Sequence, residues 1–126
     1  MNEISPDRAA VLAKAARLAE SSGLTVLDRD CQAGGHRLDL IAVTGDGTLV
    51  AVEVRAAEPD GVRASTADIG IARMLQILDA GAAWMHAHDG PYTDFRVSVV
   101  VFSPDGSGQI FPEGGGGRAG VTGETR

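Results

Sequence analysis

The chain has 126 residues, which fits one domain, and 44% of them are hydrophobic, enough for a packed core. Its formal net charge of −6 argues against a protein that coats nucleic acid without specificity, because such binding requires the neutralisation of many phosphates. A local basic groove remains compatible with that charge.

The cysteine content and the hydropathy pattern restrict the protein class further. A lone cysteine, Cys31, excludes an internal disulfide and a cysteine-based zinc site. No apolar run approaches the length of a membrane span, and the first residues lack the basic and apolar regions of a signal peptide. We therefore expect a cytoplasmic protein with no membrane partner.

The first half of the chain predicts one helix and three strands. The helix begins near Ser5 and Pro6, a typical cap and first-turn pair, and ends at Gly23. The strands are predicted over residues 24–27, 37–44 and 49–54, with a polar connection over 31–35 and a hairpin turn at 45–47. The second and third strands should therefore form an antiparallel hairpin at the centre of a sheet.

The second half predicts a helix and one or two further strands. Ser65 or Thr66 can cap the helix. Apolar residues recur along it at amphipathic spacing: Ile71, Met74, Leu75, Leu78, Ala82 and Met85. A largely buried strand over residues 95–102 and a short edge strand over 109–111 complete the order. We expect Trp84 to lie in the core.

The order of these elements predicts the fold class. Helix, three strands, helix and strand, with a candidate extra edge strand, is typical of an α/β domain with a mixed sheet flanked by helices. We expect a single domain over residues 1–112. Residues 113–126 are rich in glycine and poor in apolar side chains, which predicts a flexible tail.

Two predicted strands carry acidic residues within apolar runs. Glu53 and Arg55 should share one face of the third strand, as Arg37, Asp39 and Ile41 should on the second, because side chains alternate. The hairpin would bring Asp39 and Glu53 close enough to bridge a metal. Carboxylates suit Mg²⁺ or Mn²⁺, which can activate water at a phosphodiester, and Arg55 would hold the phosphate.

The same spacing also fits a structural ion pair. Carboxylates in an apolar run are costly unless they are paired or bound to metal, and Arg37 or Arg55 could neutralise Asp39 and Glu53. The pattern D…ExR is short, so the residues alone leave both interpretations open.

Longer stretches around these residues add a resemblance. Residues 34–42 (GGHRLDLIA) and 45–55 (GDGTLVAVEVR) resemble the core of the YraN family, small bacterial proteins that typically read GEIDLIA and then FVEVK. The resemblance extends over roughly residues 8 to 102 and includes Trp84 in the second helix. It implies a restriction-endonuclease-like fold of the PD-(D/E)xK type, with Asp39 and Glu53 as metal ligands and Arg55 in the place of the catalytic lysine.

The departures from the family pattern concern charge. Val11 and Leu12 stand where the family has Gly-Glu, and Arg37 stands where it has another acid. Arg55 replaces a lysine, so it can bind phosphate but cannot act as a general base. Arg73 is the only basic residue left in a helix that is usually basic. Arg37 beside Asp39 is a fixed cation that could take over the electrostatic role of the metal.

Several other residues are polar or reactive enough for a role at the site. His36, Arg37 and Arg73 are candidates to contact phosphate or to modulate the site. His86 and His88 are more simply explained as polar residues where a helix passes into a loop. Cys31 has no neighbours that would mark a nucleophile and is expected to be a buried or half-buried thiol.

Two functions follow as hypotheses. The first is a divergent, endonuclease-like protein that acts on or binds nucleic acid, with a degenerate D…ExR site and weak or lost phosphodiester hydrolysis. The alternative is a non-catalytic interaction module, a pseudonuclease in a bacterial DNA-processing or other complex. A protein partner, or a homodimer that completes the site or the sheet, is compatible with either.

Overall fold

The computed structural model describes residues 6–56 and 69–113. They form two helices and five strands: α1 Pro6–Ser21, β1 Thr25–Ala33, β2 His36–Val43, β3 Thr48–Ala56, α2 Ile71–Ala87, β4 Asp94–Phe102 and β5 Gly108–Glu113. The strands make one mixed sheet in the order β1-β2-β3-β4-β5. The prediction of an α/β domain with a mixed sheet and two helices is confirmed.

Strands β1, β2 and β3 form an antiparallel meander. Strand β1 is longer than predicted, and the expected polar connection over residues 31–35 was wrong. Gly34 and Gly35 make a two-residue turn with φ values of 60° and 82°. Glycine adopts such positive values at no steric cost, so this pair permits a tight hairpin and lets β1 continue to Ala33.

The chain then crosses the sheet through α2. Strand β4 returns parallel to β3, with Val52 opposite Ser98 and Val54 opposite Val100. Strand β5 pairs antiparallel with β4 and forms the second edge of the sheet, which confirms the predicted edge strand.

The two helices cover opposite faces of the sheet. Along β3, Leu49 and Ala51 pack in a cluster with Ile77 and Trp84 of α2. Val50 and Val52 point to the other side and pack in a cluster with Leu12 of α1. The alternation of side chains along a strand therefore separates two apolar layers around one sheet.

The face that α2 turns to the sheet differs from the predicted amphipathic stripe. Its buried residues are Ile77, Ala80, Gly81 and Trp84, whereas Ile71 and Leu75 are 80% and 61% exposed. Close packing explains this orientation: a Cβ atom on Gly81 would lie 2.2 Å from the ring of Phe95. Small side chains therefore bring the helix close to the sheet, while Trp84 is buried as expected.

Other predicted features can be compared with the structure only in part. Ser5, Ser65, Thr66 and residues 114–126 lie outside the described residues. Glu113, the first residue of the predicted tail, belongs to β5 instead, so the sheet extends one residue further than expected. Helix α2 begins at Ile71 and its N-cap is Gly70, which makes no side-chain capping hydrogen bond, so the expectation that Ser65 or Thr66 caps this helix was wrong. Within residues 6–56 and 69–113, neither helix is long and apolar enough to span a membrane.

Candidate functional site

Three acidic residues lie side by side on neighbouring strands. In the β1–β2 pairing, Arg29 faces Leu40 and Cys31 faces Leu38, so Asp30 lies beside Asp39. In the β2–β3 pairing, Leu40 faces Val52, so Glu53 on β3 lies at the position next to Asp39 on β2. We call Asp30, Asp39 and Glu53 the carboxylate row.

Asp39 occupies the point where β2 and β3 separate. The ladder between these strands ends at Leu40 and Val52. The backbone N–H of Val54 instead donates to Oδ2 of Asp39 at 2.8 Å, so the carboxylate replaces a hydrogen bond between strands. Asp39 is buried, and this bond satisfies one of its oxygens.

The strict alternation predicted for β2 breaks at Asp39. Leu38 and Ile41 both pack in the cluster with α2, whereas Leu40 packs in the cluster with α1. The expectation that Arg37, Asp39 and Ile41 share one face was therefore wrong. The reason is local. At Asp39 the side chain of β2, rather than its backbone, accepts the hydrogen bond from β3, and the strand is irregular at this residue.

Arg8, in the first turn of α1, binds two members of the carboxylate row. Its Nη2 atom lies 2.5 Å from Oδ1 of Asp39 and 3.1 Å from Oδ1 of Asp30, and its Nε donates to the same Asp30 oxygen at 3.2 Å. Burial works to lower the pKa of Arg8. The hydrogen bonds and charges of Asp39 and Asp30 outweigh burial, so this pKa is raised.

Arg73, in the first turn of α2, binds the third member. Its Nε donates to Oε2 of Glu53 at 3.1 Å and its Nη2 donates to Oε1 at 3.0 Å. Nη2 also donates to the backbone carbonyl of Arg37 at 2.8 Å, and Nη1 donates to Gln76 at 3.2 Å. Hydrogen bonds to Glu53, followed by the charges of Glu53 and Asp39, raise the pKa of Arg73 against the effect of burial.

Arg37 does not take the place expected for it. Its side chain is 53% exposed, and its Nε lies 3.7 Å from Oδ1 of Asp30. The contact with Asp39 that the sequence suggested for Arg37 is made by Arg8 instead. Arg37 contributes its backbone carbonyl to Arg73, so it lies at the rim of the row rather than between Asp39 and Glu53.

The remaining predicted site residues lie at different distances from the row. Arg55 is half-buried at the end of β3, two residues beyond Glu53, and faces Val101 in the sheet. His36 opens β2, and its Nε2 lies 3.4 Å from Oδ2 of Asp79 on α2. His36 therefore belongs to the contact between the β1–β2 hairpin and α2.

Two residues of the site, Arg8 and Asp30, were not predicted from the sequence. Arg8 precedes the buried Leu12 by one helical turn, which places both on the sheet-facing side of α1. Asp30 is the only residue other than glycine with a positive φ, 48°, in the described part of the chain. The pattern Asp28-Arg29-Asp30 is a weak indication that Asp30 belongs to the site, since it places two acids two residues apart on a strand.

The observed donor set does not fit the divalent metal that the resemblance implies. Each carboxylate oxygen of Asp39 and Glu53 accepts a hydrogen bond from the protein itself. Among residues 6–56 and 69–113, no three His, Cys, Asp or Glu side chains are arranged to hold a metal ion. Guanidinium groups supply the positive charge that these carboxylates require.

Comparisons with known proteins give one consistent family. Residues 13–102 match the family described as Uncharacterised protein family UPF0102. A UPF0102 protein of Arthrobacter sp. (strain FB24) is 30% identical over 95 residues, which are 75% of this chain and 80% of that protein. UPF0102 proteins of Burkholderia mallei (strain NCTC 10229) and Burkholderia pseudomallei (strain 668) are 35% identical over 94 residues, covering 75% of this chain and 65% of theirs.

Proposed function

The chain belongs to the UPF0102 (YraN) family, and from its carboxylate row we propose that it is a divergent nuclease-like protein that binds nucleic acid without efficient hydrolysis. One observation carries the proposal. Arg8 and Arg73 bind Asp39 and Glu53, the two acids that align with the family motif. A second cation would have to displace a charge-assisted hydrogen bond from each of them.

The order of the elements supports a restriction-endonuclease-like fold. Strands β1, β2 and β3 form a meander, α2 makes the crossover, and β4 lies parallel to β3. The acids of the D…ExR pattern lie on the second and third strands of this arrangement, at the end where Arg55 also lies. This order and this placement support the fold that the family resemblance implies.

The distribution of arginine supports a phosphate ligand. Four arginines lie at one end of the sheet, although the chain as a whole carries a net negative charge: Arg8, Arg37, Arg55 and Arg73. The acids of the carboxylate row neutralise part of this charge. Arg37 is more than half exposed, and Arg55 lies nearby on β3, so a phosphate backbone could contact both.

Loss of hydrolysis is tested by a cleavage assay. Single-stranded, flap and branched DNA and RNA would be incubated with the protein in Mn²⁺ and, separately, in Mg²⁺. We expect no cleavage above that of a Glu53→Gln variant purified in the same way. Cleavage that depends on both Glu53 and Asp39 would overturn this part of the proposal.

Nucleic-acid binding is tested by fluorescence anisotropy with labelled single-stranded and branched oligonucleotides at low salt. We expect binding that weakens as salt rises and falls at least about threefold in an Arg37→Gln, Arg55→Gln double variant. An Arg17→Gln, Arg96→Gln double variant is the matched control, because it removes the same charge from two exposed positions, one on α1 and one near the other end of β4. Equal effects of the two changes would show that only total charge matters.

A second candidate function is a protein-interaction module, and a separate observation favours it. Helix α2 exposes Ile71, Leu75 and Leu78, which follow one another at i, i+4 and i+7 on one face. A stripe of this kind is self-complementary across a two-fold axis, so we test it as a contact between two copies of the chain. Light scattering would give a dimer mass that Leu75→Glu lowers to that of a monomer. A monomeric parent protein contradicts this candidate.

A further inference from the structure

The exposed apolar stripe of α2 is graded along its length. Ile71, Leu75 and Leu78 are 80%, 61% and 38% exposed, so exposure is greatest at the N-terminal end of the helix. Contiguous apolar surface marks a contact site more often than scattered apolar residues do. A contact centred on the middle of the stripe would involve Leu75 and Leu78 most, whereas the gradient favours a contact at Ile71.

Ile71 lies close to an exposed cation. Arg73, in the same helical turn, donates from Nη2 to the backbone carbonyl of Arg37 at 2.8 Å. Glu53 pairs with Arg73, so the exposed charge at this end of α2 is that of Arg37, whose side chain is 53% exposed. Arg73 reaches towards the sheet, and Ile71, two positions earlier, points away from it. Because an α-helix is about 10–12 Å across with its side chains, Ile71 and Arg37 are separated by about one helix width.

The charge along α2 fits a polyanion at one end of the stripe only. The helix carries one arginine, Arg73, in its first turn and one aspartate, Asp79, in its middle. Asp79 follows Leu78 directly, and its side chain is 68% exposed. A strand of phosphates is therefore attracted to the end that carries Ile71 and repelled from the part that carries Leu78. This asymmetry favours a nucleic-acid strand as the partner of Ile71.

We propose that Ile71 is a base wedge, an aliphatic side chain that contacts an unpaired base of a strand whose phosphates lie against Arg37. Aliphatic side chains serve in this way where cations beside them hold the phosphate backbone, and they require bases that are unstacked or easily unstacked. The ligand of the site is therefore a single strand, or the unpaired part of a branched molecule. The inference rests on the proposed function, because it names the ligand class of the same site.

The wedge is tested by fluorescence anisotropy with a labelled single strand and the full chain over a range of salt concentrations. Ile71→Ala removes the apolar contact without a change in charge. We expect the dissociation constant to rise at least about threefold at every salt concentration, with an unchanged dependence on salt. Arg37→Gln should instead reduce the slope of that dependence. Leu78→Ala is the matched control and should change neither quantity, because it shortens a side chain of the same stripe beside Asp79.

Two altered ligands and a second variant separate a base contact from a change in folding. The same strand with abasic sites in place of its bases keeps every phosphate, and a continuous duplex keeps its bases stacked inside. Ile71→Ala should therefore leave the binding of both ligands unchanged. Ile71→Trp offers a larger surface for stacking and should bind the normal strand at least about twofold more tightly, a gain that partial unfolding cannot produce.

The outcomes separate the wedge from the proposed function. Equal losses of affinity for the normal and the abasic strand in Ile71→Ala, or no gain in Ile71→Trp, would overturn the wedge. Equal losses in Ile71→Ala and Leu78→Ala would overturn it as well, since the whole stripe would then act as it does in a contact between two copies. Binding that depends on Arg37 but not on Ile71 keeps the proposed function and rejects the wedge alone. A parent protein that binds no oligonucleotide rejects both.

Discussion

Arg73 and Glu53 form a two-point ion pair, with Nε 3.1 Å from Oε2 and Nη2 3.0 Å from Oε1. The pair joins the first turn of α2 to the end of β3. Because Nη2 also donates to the carbonyl of Arg37, the same guanidinium attaches α2 to β2. Arg73 therefore has a structural role in addition to neutralising the row.

Removing this guanidinium should destabilise the fold. In Arg73→Gln, the largely buried carboxylate of Glu53 loses its ion pair, and we expect the free energy of unfolding to fall by about 1–3 kcal/mol. Urea denaturation measures this change. Arg96→Gln, at an exposed position on β4, should change the same quantity by less than about 0.5 kcal/mol. Similar effects at both positions would contradict the structural role of Arg73.

Restoring the acid that the family carries in α1 should damage this chain. Leu12 is 1% exposed and packs in the cluster with Leu40 and Val50. Leu12→Glu buries a carboxylate among apolar side chains, and we expect a loss of at least about 3 kcal/mol in the free energy of unfolding. The neighbouring Val11→Glu places the same charge on the exposed side and should cost less than about 1 kcal/mol. Thermal or urea unfolding of both variants compares the two positions directly.

Close packing between α2 and β4 predicts a third result. Gly81→Ala would place a methyl group against the ring of Phe95, so we expect a loss of about 1–3 kcal/mol from forced movement of the ring or helix. Gly45→Ala is the control, because its added Cβ meets no atom within 4 Å and its backbone is not left-handed. That change should be neutral or stabilising by up to about 1 kcal/mol. Rescue of Gly81→Ala by Phe95→Leu would identify the ring as the obstacle.

The environment of Cys31 predicts a pH dependence. Burial, followed by the charge of Asp28, raises the pKa of this thiol to about 11 from an ordinary value of 9.0. Alkylation by iodoacetamide in the folded protein should therefore be slow at pH 8 and should rise towards pH 11, because the thiolate is the reactive form. The rate in the urea-unfolded chain should level off near pH 9. A folded-state midpoint near pH 9 would contradict the prediction.

The same shift sets the direction of the stability effect. The folded thiol keeps its proton after the unfolded thiol has lost it, so this contribution to stability is complete below about pH 9 and is lost as pH rises towards 11. The thiol is only half-buried, so we expect the loss to be no more than about 1–2 kcal/mol. Urea denaturation at pH 8 and pH 10.5, compared with Cys31→Ala, measures it.

The sequence predicted the strands better than the helix orientation. The apolar residues of β3 and β4 located both strands to within one or two residues. Both faces of these strands are buried, so nearly every position in them is apolar and the strand ends are easy to recognise. The apolar stripe of α2 was misleading, since Ile71 and Leu75 face outward while Ala80 and Gly81 face the sheet. Helix packing here depends on how closely two elements approach, and spacing within one helix does not encode that distance.

The site was predicted only in part for a related reason. Asp39 and Glu53 belong to one hairpin, so the turn at residues 45–47 made their neighbourhood predictable. Arg8 and Asp30 come from α1 and from β1, which lies on the other side of β2. Arg8 is separated along the chain by 22 residues from Asp30 and by 31 residues from Asp39. Arg37 was the nearest cation in sequence, but the irregular backbone at Asp39 leaves it at the rim.

The position of the crossover has a consequence for how the protein assembles. Strands β1, β2 and β3 are joined by short turns, so the meander can close with little loss of chain entropy, whereas β4 pairs with β3 only across α2. An early meander would bring Asp30, Asp39 and Glu53 together before Arg73 docks. Their mutual repulsion would then oppose the first stage of folding, and added salt should speed refolding even as it weakens the ion pairs of the finished fold.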